Sequence, residues 1–260
     1  TVWRTSPSFS KRTCIESRSM LFSVDAHAIG CHLTGNEVYI RNLLDQYARL
    51  DRESRFLTFV SKTDAVELIP ESFKKVRVSE NPFVRLGVDI PLLLRNHRPS
   101  LIHVQYTAPW NCRTPIITTV HDVSFLEHPE FFTSFRANQL RITVAHTVKR
   151  AVRILTPSEF SKRAIMRVYG VSEDKVVVLP NGVSPEFRPI KRDNAQGWVR
   201  GKYKVPGPYV LTVGDLQPRK NYVRLIEAFA SVMREYPKLS HHLVIAGKAA
   251  AWYEPTVRKA

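Results

Sequence analysis

Cysteine is scarce in this chain: three residues, Cys14, Cys31 and Cys112, with no C-x-x-C pair among them. Such spacing excludes a disulfide framework and a zinc knuckle. It suits a reducing, cytoplasmic compartment. No apolar run is long enough to read as a membrane span. Phosphate motifs are missing as well. No two glycines stand as G-x-G, which removes the usual dinucleotide fingerprint. Gly247-Lys248 is followed by Ala249 without the upstream glycine of a Walker A loop. There is no G-x-S-x-G elbow. Nor is there a D-x-D or an H-x-x-x-H, so no metal site is expected and no cofactor is called for. Finally, acid is in deficit: 39 Lys+Arg face 23 Asp+Glu, a net charge of +16 over 260 residues. Such a chain attracts anions. Without a metal motif, any phosphate it binds must be neutralised by its own cations and helix ends.

What is present is alternation. Apolar strands such as LFSVDA, RFLTFV, SLIHVQ, PIITTVHD and VRILTP are separated by segments with helical spacing, VYIRNLLDQYARL and Phe135–Ala151 among them. Buried strands alternating with helices predict an α/β fold with doubly wound parallel sheets. Ser158 reads as the N-cap of a helix running to Tyr169. A second strand–helix–strand unit opens at Tyr209–Val213, read as a buried strand. Between them the prolines Pro185, Pro189, Pro206 and Pro208 and six Lys/Arg mark an interdomain linker over 185–208. The expected organisation is therefore a complete domain over 20–184 and an incomplete one over 209–260. Residues 1–19 show no periodicity and are expected to be a disordered extension.

Four places carry chemistry. Gly214 is followed by Arg219 and Lys220 at the start of a helix, where backbone N–H groups and cations suit a phosphate; Asn221 stands where it can cap that helix. An exposed basic turn explains the same residues without a ligand. His121 and Asp122 lie at the carboxyl end of a strand, where open sheets place ligands. Tyr106 follows the neighbouring strand and can line the same crevice, while His103, mid-strand, reads as a packed core histidine. Gly35 lies in a loop just before the first helix, again suited to an anion or a sugar hydroxyl. Arg136 to Arg167 holds eight Lys/Arg against Glu159 alone. A solvated helix face accounts for it. A one-sign face is also a candidate contact for an anionic membrane, and it lacks the interleaved aromatics that nucleic acid would want.

Taken together, TTVHDVSFLEHPEFF, RILTPSEFSKRAI, VVVLPNGVSPEF and YVLTVGDLQPRKNYVRLIEAF resemble, in order and spacing, the retaining glycosyltransferases of family 4. FSVDAHAIGCHLTGNEVYIRNLL is similar to that family's first strand, glycine loop and helix. The resemblance runs from Met20 to Ala260. It implies the two-domain GT-B fold, an acceptor-binding N-terminal domain and a C-terminal domain for a nucleotide-sugar, the co-substrate. It implies hexosyl transfer, mannosyl or glucosyl, to a glycan or lipid-linked acceptor hydroxyl with retained configuration and no metal. Envelope polysaccharide or glycolipid synthesis at the inner membrane face is the implied setting. By the family's pattern Lys220 and Arg219 hold the donor diphosphate, Gly35 lies beneath it, and His121 approaches the acceptor and the transferred sugar. The family's later glutamate pair falls beyond Ala260, so these residues alone are expected not to turn over. A sugar-nucleotide epimerase of the same fold is the alternative within enzymes. Outside them stands a non-catalytic anion-binding protein.

Overall fold

The computed structural model describes residues 19–30, 34–248 and 253–260. The expected extension falls outside them as far as Arg18, as do His32 and Leu33 of the first loop. Two compact units emerge. One is the chain up to Val123 with Ile142–Asn181, and the other is Ser124–Arg141 with the chain from Gly182 onward.

The first unit is built on seven strands: β1 (Leu21–Asp25), β2 (Arg55–Val60), β3 (Lys74–Arg77), β4 (Leu101–Gln105), β5 (Ile116–Thr119), β6 (Arg153–Thr156) and β7 (Val176–Val178). Their order is β3-β2-β1-β4-β5-β6-β7, and every neighbouring pair is parallel. The order reverses between β1 and β4, with Val24 opposite Thr58 on one side and His103 on the other. This is the doubly wound arrangement that the alternation predicted, and the reversal is where such sheets leave a crevice beyond their carboxyl ends.

Helix α1 (Thr34–Leu50) covers β1 and β2 because Ile40 and Leu44, four apart, put their side chains on one face, where both are fully buried. Tyr47 stacks on Phe56, which stacks on Phe73, at centroid distances of 5.4 and 4.5 Å. Short helix α2 (Pro82–Val84) passes through a π-helical turn, Arg85–Asp89, into α3 (Ile90–His97). Pro91 sits in the first turn of α3, where a missing N–H is harmless. The helix ends on Arg98, which takes a left-handed conformation at φ 49°. After α4 (Ser124–Glu127) and α5 (Ser134–Arg150), helix α6 (Glu159–Tyr169) starts at Ser158, whose side chain accepts the Ser161 N–H at 3.1 Å, as predicted. Left-handed Gly170 ends it.

In the second unit, the stretch expected to be a linker contains a helix, α7 (Arg192–Tyr203). Its prolines flank the helix rather than interrupt it, so composition hid an element that geometry allows. Beyond it β8 (Tyr209–Val213) pairs in parallel with β9 (His242–Ala246), joined through α8 (Tyr222–Glu235); α9 (Glu254–Lys259) follows. The apolar sequence of β8 predicts a buried strand, yet Leu211 and Val213 are 52% and 71% exposed. Among the described residues β8 has a strand on one side only, so its apolar side chains find little to pack against.

Candidate active site

In the first unit, polar side chains gather at the carboxyl ends of β4 and β5, beside the reversal point. Gln105, the last residue of β4, is buried. Its amide nitrogen donates to the Asn36 carbonyl at 3.3 Å, and its oxygen lies 3.2 Å from His121 Nε2. An amide oxygen only accepts, so His121 carries its proton on Nε2. The lone pair of Nδ1 is left to accept from a ligand hydroxyl. Burial pushes the imidazole pKa below its ordinary value, with neighbouring Asp122 pulling the other way. His121 is therefore neutral near pH 7.

The ring is held on several sides. Tyr39 of α1 meets it edge-on at 4.7 Å, and the Tyr106 ring lies 5.7 Å away. The His121 carbonyl accepts from Ser161 Oγ at 2.9 Å, tying the strand end to the start of α6. Behind it, Thr119 Oγ1 joins Tyr39 Oη at 3.0 Å and His103 Nε2 at 2.8 Å. His103 is the buried core histidine expected, with its pKa pushed down to about 4 by burial and by His121.

Tyr106 adopts φ 60° while its N–H donates to the Thr119 carbonyl at 3.0 Å. That left-handed conformation costs a non-glycine residue about 1–2 kcal/mol. It keeps the tyrosine at the lip of the cluster. Asp122 is exposed beside it. Gly35 lies in the first turn of α1, exposed, with nothing within 4 Å of a built Cβ. The turn it occupies reaches the cluster through Asn36, which bonds Gln105.

A second group at the carboxyl end of β1 was not signalled by sequence. Asp25, 1% exposed, accepts from the His27 backbone at 3.2 Å and pairs with His27 Nδ1 at 3.0 Å; Arg85 Nε, also buried, lies 4.0 Å away. Burial alone would push this carboxyl up. The His27 and Arg85 charges outweigh it and hold its pKa below the usual value. The group anchors the start of the loop that leads to α1, whose Gly30 N–H is taken by Glu37 at 3.0 Å.

In the second unit the structure brings Gly214 and Lys220 together. Gly214 has φ 155°, and a Cβ there would stand 3.2 Å from Tyr222 Oη and 3.4 Å from Lys220 Cε. Tyr222, buried at the first turn of α8, donates its hydroxyl to the Gly214 carbonyl at 2.7 Å. The Lys220 ammonium thus lies against a backbone with no side chain of its own, at the start of a 14-residue helix. Positive charge and backbone N–H groups there suit an anion. Arg219 and Lys220 are both exposed; the Arg219 Nε donates to Gln217 Oε1 at 3.1 Å. Asn221, expected to cap α8, makes no side-chain capping bond, because its own backbone is left-handed at φ 56°.

Gly247, which fits no Walker A loop, has a structural role instead. A Cβ on it would fall 2.0 Å from the Gly214 oxygen, so the chain after β9 touches the turn after β8 backbone to backbone. A lone glycine following a strand was its only signal. Among the described residues, no three His, Cys, Asp or Glu side chains converge on a metal-sized site.

Known proteins share this organisation. The chain is 29% identical over 133 residues to O-antigen chain mannosyltransferase B of Escherichia coli; the match takes in 50% of this chain and 34% of that protein. Anabaena Alr3699/HepE, solved in complex with UDP-glucose, superposes with a TM-score of 0.65 at 17% identity, over 92% of this chain and 64% of that one. A glycosyltransferase from Rickettsia africae gives a TM-score of 0.55 at 15% identity, over 92% and 71%. The chain thus spans about a third of the curated relative and under two thirds of HepE, whose likeness establishes an α/β, GT-B-type fold. The family model described as Glycosyltransferase Family 4 matches residues 33–187, more than half of the chain, and to that family this protein belongs.

Proposed function

We propose that this protein moves a hexosyl group, mannosyl or glucosyl, from a nucleotide-sugar to an acceptor hydroxyl with retention and without a metal ion. The acceptor is a glycan or a lipid-linked glycan of envelope polysaccharide or glycolipid. The observation that carries the reading is the exposed Lys220 side chain lying beside Gly214 at the head of α8. Negative charge grows on the departing diphosphate, and an ammonium beside backbone N–H groups stabilises it. The mannosyltransferase relative and the UDP-glucose complex of HepE support a nucleotide-sugar donor. Neutral His121, offering Nδ1 as an acceptor, is the group for a sugar or acceptor hydroxyl. Cytoplasmic work with peripheral contact at the inner membrane face belongs to the same proposal; among the described residues no helix is long and apolar enough to cross a membrane.

An epimerase would want carboxylates aimed at substrate. Here Asp25 is buried, with Oδ1 on His27 and Oδ2 4.0 Å from Arg85, which leaves Asp122 as the exposed carboxylate beside His121. The test is titration of the protein with GDP-mannose and UDP-glucose in the presence of a chelator, read by saturation-transfer NMR. One of the two should bind, and Lys220→Ala should weaken it about tenfold to a hundredfold, the worth of a charge-assisted hydrogen bond. Binding that ignores Lys220→Ala, or that requires magnesium, would sink the reading.

A further inference from the structure

A groove of about 800 Å³ runs between α3 and the segment that leads into β5. At one end Trp110 N–H bonds the Leu86 carbonyl at 3.1 Å; at the other, Pro99 and Pro115 precede the first residues of β4 and β5. Part of the groove therefore lies at the amino ends of β4 and β5, the opposite end of those strands from Gln105 and His121.

Three arginines line it, Arg95, Arg98 and Arg113, and no carboxylate does. All three are exposed, and with no carboxylate among the lining residues they give the groove a positive field that attracts an anion. Val88 of the π-helical turn and Leu92 of α3 both line the groove and are 50% and 53% exposed. Phe83 and Trp110 extend this apolar rim, ring against ring at 6.1 Å. No aromatic ring lines the groove itself, so a nucleotide base has nothing to stack on. The opposite wall is fixed in advance. Arg150 of α5 donates to the carbonyls of Pro109, Trp110 and Cys112, which holds residues 109–112 in place. Gly87, lacking a side chain, lets the Trp110 ring close on the helix; a Cβ there would already be 3.4 Å from it. A preformed groove of this size holds a small molecule at little ordering cost.

We infer that this groove binds the phosphate head of a lipid, with the arginines on the phosphate and Val88 and Leu92 against the first methylenes of the chain. The inference is independent of sugar transfer, which concerns other residues. Arginines near a helix C-terminus also complement the helix dipole, but Arg113 is not on the helix and dipole compensation leaves its presence unexplained.

The test uses the protein labelled with 5-fluorotryptophan, following the Trp110 resonance assigned through Trp110→Phe. Dihexanoyl phosphatidate, added as monomer, should shift that resonance saturably. The double variant Arg95→Gln/Arg113→Gln should weaken the shift about tenfold or more at unchanged Tm, and Arg113→Lys should recover part of it. Leu92→Asn should weaken it several-fold, since each methylene buried is worth about fourfold. The inference fails if Trp110 does not respond, or if inorganic pyrophosphate moves it at the same concentration. It fails equally if dihexanoyl phosphatidylcholine binds as well as the phosphatidate, or if the arginine variants bind unchanged.

Discussion

Replacing Gly247 by alanine tests how closely the two strand ends of the second unit approach. The new Cβ would fall 2.0 Å from the Gly214 oxygen and 2.5 Å from its carbonyl carbon. Contacts under 3.0 Å do not persist in proteins, so one backbone must retreat by about 1 Å. The Tyr222 hydroxyl sits 2.7 Å from the same oxygen. A retreat of about 1 Å carries it out of hydrogen-bond range. Overpacking of this kind costs about 1–3 kcal/mol, and the lost hydrogen bond adds about 1 kcal/mol. Together the substitution should loosen the turn by about 2–4 kcal/mol. Hydrogen exchange reads this directly, because the Gly214 and Leu216 amides bond the Ala246 and Lys248 carbonyls at 2.9 Å. Their exchange should speed up about thirtyfold to a thousandfold. Gly197→Ala, in the exposed interior of α7 with nothing within 4 Å, should do the reverse and stabilise its helix by about 1 kcal/mol. Unchanged exchange at Gly214 and Leu216 in Gly247→Ala would refute the backbone contact. It would also remove the reason for a rigid anion site there.

The remaining predictions concern the first unit. Gln105→Leu removes the acceptor that fixes the His121 tautomer; imidazole nitrogen NMR should show Nε2 protonated in the native protein and a mixture in the variant, and a native Nδ1 proton would contradict the site geometry. His103 is neutral and buried with its pKa lowered to about 4, so it costs no stability above its unfolded value near 6.5 and destabilises the fold progressively as pH falls from there to about 4. That window is worth about 3 kcal/mol; urea melts at pH 7 and 4.5 should show a difference that shrinks in His103→Leu, and an unaltered difference would acquit His103. Asp25→Asn should lower stability by about 3–5 kcal/mol at pH 7, since Arg85 is left buried without its counter-charge. The lowered Asp25 pKa means its ion pairing is present above the unfolded value of 3.8 and is lost as pH falls through the folded one, so wild type and variant should converge in acid.

Sequence alone determined the alternation of strands and helices, and hence the α/β class. Periodicity and capping are local: the helical spacing within VYIRNLLDQYARL and Ser158 three residues before Ser161 can be read within a few positions. It also drew attention to His121, Gly214 and Lys220, because each stands just past a strand end or at a helix start. Helix α7 escaped notice because four prolines gave its surroundings the composition of a linker. The exposure of β8 escaped because burial depends on neighbours, not on the strand's own residues.

Only the tertiary structure decided what the flagged residues meet. Tyr39 reaches Thr119 across 80 positions, and Gln105 sets the His121 proton across 16. Those meetings follow from the sheet order β2-β1-β4-β5, which no local pattern encodes. The same holds for Gly247, an ordinary glycine until pairing of β8 with β9 presses it onto Gly214. A side chain's chemistry is written in its type. Its protonation, its partner and the space left for a ligand come from elements that are distant in the chain and adjacent only after folding.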